Sequence, residues 1–179
     1  MRIIGGKYRG KQIIPDKKFK ARPTTDFAKE GLFNILWNSV DFEQICVLDL
    51  FSGTGSISFE FSSLGSSEVT AVEINKRYAE YIEKTAEQLG FDQIIVINDD
   101  VLKFIPVCSL KYDIIFADPP YDLKGIETIP DLVLNQGILK NEESMFIMEH
   151  GPNLSFSHHS CFYKQKKYGK VHFSFFNQH

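Results

Sequence analysis

Long apolar runs are missing from this 179-residue chain, and that absence already narrows what it does. No stretch approaches the ~18–20 residues that a membrane-crossing helix needs. Met1-Arg2-Ile3-Ile4-Gly5-Gly6 is too short for the apolar centre of a secretory leader, so none is expected. Cysteine is scarce. Cys46, Cys108 and Cys161 are far apart, odd in number and outside any CxxC pair. Reduced thiols in a cytoplasm account for them, and no metal site is expected. No Gly-Lys-Ser/Thr follows a glycine loop, which removes the phosphate cradle of an NTPase. The single tryptophan, Trp37, is expected in the core.

What is present argues for one folded body. The length fits a single core of ~100–200 residues. Apolar residues make up 43%, with sixteen phenylalanines, so disorder is a poor reading. The formal charge of −3 is unevenly spread. Residues 1–22 carry eight Lys/Arg against one acid, Asp16, whereas residues 23–160 hold 8 basic and 22 acidic side chains. The tail, 161–179, has Lys164, Lys166, Lys167 and Lys170 and no acid. Two basic ends flanking an acidic body suggest a localised phosphate-binding face.

Periodicity orders the elements. Residues 1–14 read as short extended segments with glycine turns, a small β appendage, followed by a charged linker from Pro15 to Pro23. Thr24 or Thr25 is placed to cap a helix running to about Asn38, with Phe27, Leu32, Ile35 and Leu36 on one face. Gly31 inside it costs ~1 kcal/mol against Ala, which implies a packing or ligand reason. Strands follow at Cys46–Phe51, Glu68–Glu73, Ile94–Ile97, Tyr112–Ala117 and Met145–Met148. Helices are expected at about Ser56–Leu64, Asn75–Leu89 and 124–135, and a closing hairpin at Cys161–Lys167 and Val171–Phe176. The expected fold is α/β, a doubly wound, seven-stranded Rossmann-like sheet with an antiparallel C-terminal hairpin and a small N-terminal β-hairpin extension. The domain reading is a basic extension over 1–22 and one α/β domain over 23–179.

Two motifs carry chemistry. Asp49-Leu50-Phe51-Ser52-Gly53-Thr54-Gly55 joins a strand to a helix, where glycines let the backbone approach a ligand and turn sharply. The third glycine of a dinucleotide fingerprint should stand at position 58, which is Ser58, so NAD is disfavoured. Glu73, ending the second strand, has two acceptor oxygens suited to two ribose hydroxyls. Asp100 and Val101, after the third strand, are placed to meet an adenine, and together these features favour S-adenosylmethionine. Asp118-Pro119-Pro120-Tyr121 directly follows the fourth strand. An exocyclic amine on a base is a poor nucleophile because its lone pair is delocalised into the ring. The Asp118 carboxylate and the Pro119 carbonyl, accepting both amine hydrogens, draw that lone pair out of plane. Two prolines hold these acceptors in place, and Tyr121 stacks on the base for ~1–3 kcal/mol.

With these residues quoted, the chain resembles the bacterial 16S ribosomal RNA guanine-N2 methyltransferases (the RsmD-like family), over nearly its whole length. Residues 1–10, then Arg22-Pro23-Thr24-Thr25-Asp26 with Gly31-Leu32-Phe33-Asn34-Ile35-Leu36, are similar to that family's own signatures. The Val47–Gly55 and Asp118–Tyr121 motifs are shared by many amine methyltransferases. The resemblance implies S-adenosylmethionine as cofactor and 16S rRNA of the small ribosomal subunit, or an assembly intermediate, as partner. It implies a cofactor pocket of Thr24, Asp49, Phe51, Gly53, Gly55, Glu73, Ile74, Asp100 and Val101. Asp118, Pro119, Pro120 and Tyr121 form the target-base pocket, and Arg2, Lys7, Arg9, Lys11 and Arg22 the RNA contacts. A cytoplasmic protein, monomeric and without membrane contact, is expected. Rival readings are a DNA adenine-N6 methyltransferase, a protein-glutamine methyltransferase and a non-catalytic RNA-binding domain. His150, His158 and His159 are expected in a surface loop, and Glu149 at a solvated strand end.

Overall fold

Apolar side chains alternate between two faces from Val47 onward, and a sheet covered on both sides is the result. This computed structural model describes residues 1–15 and 25–177; the linker residues 16–24, with Arg22 and Thr24, lie outside the described residues. The strands are β1 (Cys46–Leu50), β2 (Glu68–Val72), β3 (Ile94–Ile97), β4 (Ile114–Ala117), β5 (Met145–His150), β6 (Phe162–Tyr168) and β7 (Val171–Asn177). Their order is β3-β2-β1-β4-β5-β7-β6. Pairing is parallel from β3 to β5 and antiparallel through the closing hairpin. The doubly wound sheet with its antiparallel hairpin is therefore present as expected.

The helices are α1 (Asp26–Leu36), α2 (Ser56–Ser63), α3 (Lys76–Leu89), α4 (Val101–Val107) and α5 (Ile129–Asn135). Val47, Ile114, Phe116, Ile147, Phe173 and Phe175 face one layer with Leu32 and Phe61 from α1 and α2. Leu48, Ile115, Phe146 and Phe176 face the other, with Ile105 and Ile129 from α4 and α5. That is the two-residue period of a strand, doubled because neither face is wet. α4 was not anticipated. It is seven residues long with Pro106 inside, too short for a helical period to declare itself. No helix among the described residues is long and apolar enough to cross a membrane.

α1 departs from its expected face. Phe27 is 67% exposed and Trp37 62%, while Ala28, Lys29, Leu32, Phe33 and Leu36 are buried. The helix ends at Leu36, so Trp37 falls past its last turn and lies against Phe42 instead, ring centroids 5.6 Å apart. Gly31 has a packing reason, as the sequence suggested. A Cβ there would lie 2.1 Å from the ring of Tyr168 on β6.

The buried stripe of α1 is displaced because it includes a lysine. The Lys29 Nζ lies 3.1 Å from Glu60 Oε2, with side chains 1% and 0% exposed. Glu60 also accepts from Ile4 N at 3.0 Å and Gly5 N at 2.7 Å, and Lys29 donates to the carbonyl of Arg2. Burial pushes the Glu60 carboxyl up, opposed by Lys29 and these amides. The N-terminal segment is thus strapped onto α2. In place of the expected hairpin strands it has one antiparallel bridge, Arg2 with Gln12, around a short 3-10 turn. Ile3 N donates to Lys11 O (3.0 Å) and Ile13 N to Met1 O (2.9 Å), and Ile3 and Ile13 pack on Phe59 and Ile82. Removing one partner of such a pair strands a buried charge. Lys29→Met should lower stability by about 3–5 kcal/mol in urea unfolding, and adding Glu60→Gln should recover part of the loss.

Candidate active site

β1 sits at the switch point of the sheet, with β2 on one side and β4 on the other and their crossovers running in opposite directions. A crevice opens outside the carboxyl ends of strands at such a point. The loops after β1, β2, β3, β4 and β5 all end there, and they carry the described residues expected of a cofactor and a base pocket.

The loop after β1 is strained into shape. Phe51 has φ 61°, and is alone in that among the non-glycine described residues. Such a conformation costs about 1–3 kcal/mol and persists only where its surroundings enforce it. Gly53 (φ 55°) and Gly55 (φ 79°) share the left-handed region. A Cβ on Gly55 would press on Phe59 and Ile82 at 3.0 Å, whereas one on Gly53 would have only the Phe51 carbonyl within 4 Å, at 3.9 Å. Gly55 is closed by packing, and Gly53 leaves the backbone open to a ligand.

Asp49 holds this loop from beneath. Its carboxylate, 1% exposed, accepts from the backbone N–H and the hydroxyl of Ser58 in the first turn of α2. Burial raises its pKa to about 7; the Ser58 bonds oppose the rise and the nearby Glu73 adds to it. Sequence reasoning used Ser58 only to reject a dinucleotide site. Its tie to Asp49 depends on the turn of α2, which nine residues of separation do not announce.

Glu73 joins two loops. It is 7% exposed, and its oxygens accept from Gly53 N at 2.8 Å and Asn75 N at 2.7 Å. Burial raises its pKa against those two bonds. Each oxygen keeps a further lone pair. Asn98, which the sequence reading missed, donates to the carbonyls of Glu73 and Ile74 at 2.8 and 3.0 Å and fixes that turn. Ile74 is 65% exposed beside it, an aliphatic surface at the rim of the crevice. Asp100 caps α4 by accepting from Leu102 N at 2.9 Å, and Val101 is buried.

Asp118-Pro119-Pro120-Tyr121 leaves β4 next to β1, pinned by Asp118 N to Leu50 O at 3.3 Å. Pro119 is buried, Pro120 exposed and Tyr121 48% exposed. The Tyr121 hydroxyl donates to Glu149 Oε1 at 3.3 Å. Glu149 is 4% exposed, so the expectation of a solvated strand end is corrected: β7 and the Asp118 loop cover the end of β5. His150 is corrected too. It lies within β5, fully buried, with Nδ1 donating to Gly151 O at 2.9 Å and Nε2 accepting from Ser174 Oγ at 2.8 Å. Burial lowers its pKa, so the ring is neutral and structural. His158 stays exposed, and His159 pairs with Asp131 at 3.2 Å.

The basic residues are spread over two segments. Lys7, Arg9 and Lys11 are exposed, with both lysine ammonium groups over the Tyr8 ring at 5.2 and 5.1 Å. Arg2 is committed to Asp26 at 3.4 Å and Glu30 at 2.7 Å on α1. Phe27, next to Asp26, meets Tyr168 of the lysine-rich hairpin edge-on at 5.6 Å. Arg2 and Tyr168 of the hairpin therefore both contact the start of α1, whereas the turn carrying Lys7 and Lys11 is held through Tyr8 against Ser63 of α2 and Leu89 of α3.

Comparison with known proteins covers the whole described chain. The family model described as conserved hypothetical protein 95 matches residues 1–177. The chain belongs to that family. Among curated relatives of this conserved hypothetical protein 95 chain is Ribosomal RNA small subunit methyltransferase D of Buchnera aphidicola, 30% identical, covering 98% of the chain and 91% of the relative. The Escherichia coli protein of the same name is 29% identical over 82% of the chain and 73% of its own length. The solved structure of the yhhF protein of Escherichia coli superposes with a TM-score of 0.85 at 25% identity, covering 99% of this chain and 97% of that one.

The buried Asp49 makes a pH-dependent prediction. Its folded pKa, about 7, lies above the ordinary 3.8, so the folded protein holds the proton longer and this group's contribution to stability falls as pH rises between those values. Asp49→Asn should therefore gain stability relative to the parent, by at least about 1 kcal/mol, on going from pH 4 to pH 8. Urea unfolding of both proteins at the two pH values measures it.

Proposed function

We propose that the protein is an S-adenosylmethionine-dependent methyltransferase that methylates the exocyclic N2 amine of one guanine in 16S rRNA. The observation that carries this reading is the Asp118–Tyr121 segment at the end of β4, alongside the glycine loop of β1, in a chain whose curated relatives methylate small-subunit ribosomal RNA. The crevice suits the cofactor on three counts: the open approach at Gly53, the free lone pairs of the buried Glu73, and the exposed aliphatic Ile74. Glu73 would accept from ribose hydroxyls, Ile74 would cover a flat ring, and Asp100 with the Val101 N–H would meet adenine. When bound, the cofactor supplies a methyl group already activated by a sulfonium.

The chain's own work is positioning. Asp118 and the Pro119 carbonyl hold the two amine hydrogens and turn the nitrogen lone pair out of the base plane. Because Pro119 is buried and φ is locked in both prolines, this arrangement is in place before the base arrives. Tyr121 offers the face on which the base stacks, and Asp118 takes the proton that the amine releases. An extruded loop guanine is the cheapest base to bring there. Lys7, Arg9, Lys11 and the hairpin lysines hold flanking phosphates, and Arg2 orders α1 rather than reaching for RNA.

Labelled cofactor supplied separately to unmethylated 30S particles, naked 16S RNA, DNA and cell protein, followed by nucleoside mass spectrometry, tests the reading. N2-methylguanosine from ribosomal substrates is expected. N6-methyladenine in DNA as the sole product, or label only in protein, overturns the substrate assignment. Asp118→Ala should keep affinity for S-adenosylhomocysteine within a few-fold by calorimetry and lose transfer by about a hundredfold or more, since its acceptor works in the transition state. Reversing Lys7 and Arg9 to Glu should weaken RNA binding and flatten its salt dependence in filter-binding assays.

A further inference from the structure

We propose that Glu149 is the residue that selects guanine, its carboxylate accepting the base's N1–H while it holds Tyr121 in place; this rests on the methyltransferase reading above. Glu149 is 4% exposed at the carboxyl end of β5, where a carboxylate is retained only with hydrogen-bonding partners. Ala117 pairs with Met148, so Asp118 and Glu149 are the next residues after a paired position on neighbouring strands. The Tyr121 hydroxyl donates to Oε1 of Glu149 at 3.3 Å. The Tyr121 ring also lies against Gly151, so closely that a Cβ there would sit 3.2 Å away. Ring, carboxylate and strand end form one unit.

Guanine presents two adjacent donors on one edge, the N2 amine and N1–H. Asp118 and the Pro119 carbonyl take the amine, so the neighbouring acceptor that β5 supplies falls to N1–H. A carboxylate has lone pairs enough to serve Tyr121 and the base together. Adenine carries a lone pair at N1, which a carboxylate repels, and its amine lies on the other side of that atom. The same two carboxylates therefore provide chemistry and choice: Asp118 prepares the amine, and Glu149 rejects a base lacking N1–H.

The test uses 30S particles reconstituted with 16S RNA carrying either guanine or 2-aminopurine at the methylated position. 2-Aminopurine keeps the 2-amine but has a lone pair at N1. The parent should prefer guanine by tenfold or more in kcat/KM. Glu149→Gln keeps an acceptor for Tyr121 and offers the base an amide donor, so its guanine preference should narrow at least tenfold. Its affinity for S-adenosylhomocysteine should stay within twofold of the parent's. Tyr121→Phe should slow both substrates and leave their ratio in place. A parent ratio near one, which needs no variant to measure, overturns the proposal, as does an unchanged ratio in folded Glu149→Gln or an equal narrowing in Tyr121→Phe. Failure of the parent to methylate guanine at all would instead overturn the function from which the proposal starts.

Discussion

Parallel pairing of β1 with β2 on one side and β4 on the other determines where this protein can act. Because the two crossovers leave in opposite directions, the carboxyl end of β1 has no helix above it, and the loops from five strands converge on the gap. Register then distributes the roles. Leu50 pairs with Val72 and with Ala117, so the glycine loop, Glu73 and Asp118 all start from one level of the sheet. The next pair, Ala117 with Met148, brings Glu149 to that level as well.

Holding loops at the mouth of a sheet requires polar groups inside it, and their partners account for much of the local structure. Asp49 is satisfied by Ser58, Glu73 by Gly53 and Asn75, and His150 by Ser174 and the Gly151 carbonyl. The bonds to Ser58, Gly53 and Ser174 each join two different elements, so they fix a loop or strand against its neighbour rather than merely capping a turn. An unpaired group at any of these places would cost ~1–3 kcal/mol, which makes the arrangement selective for one loop conformation. The raised pKa values of Asp49 and Glu73 are the electrostatic trace of the same burial.

The Lys29–Glu60 pair extends this logic to the basic N-terminal segment. Glu60 engages two backbone amides of residues 4 and 5 together with the lysine, so the described part of the extension is seated on α2 rather than tethered by its linker. Arg2 from the extension and Tyr168 from the closing hairpin both contact α1 near its start. The acidic body thus carries its basic residues on docked segments, segregated rather than averaged over the surface.

Much of this was legible in the residues themselves. Continuous apolar runs announced buried strands, Asn75 and Gly90 bounded α3, and the Asp-Pro-Pro-Tyr segment stood out by residue type at the end of a strand. These are local properties: period, cap and backbone restriction act within a few residues. Apart from the short α4 and the end of α1, the errors were non-local. Phe27 is exposed because α1 turns Lys29 inward, and Glu149 and His150 are buried because β7 returns from later in the chain to cover β5. The amino-acid sequence by itself determined the order of the strands, every helix but α4, and the groups available for chemistry. Tertiary structure alone decided which carboxylates are buried, which partners they take and where the basic segments dock, because those depend on contacts between segments fifty or more residues apart.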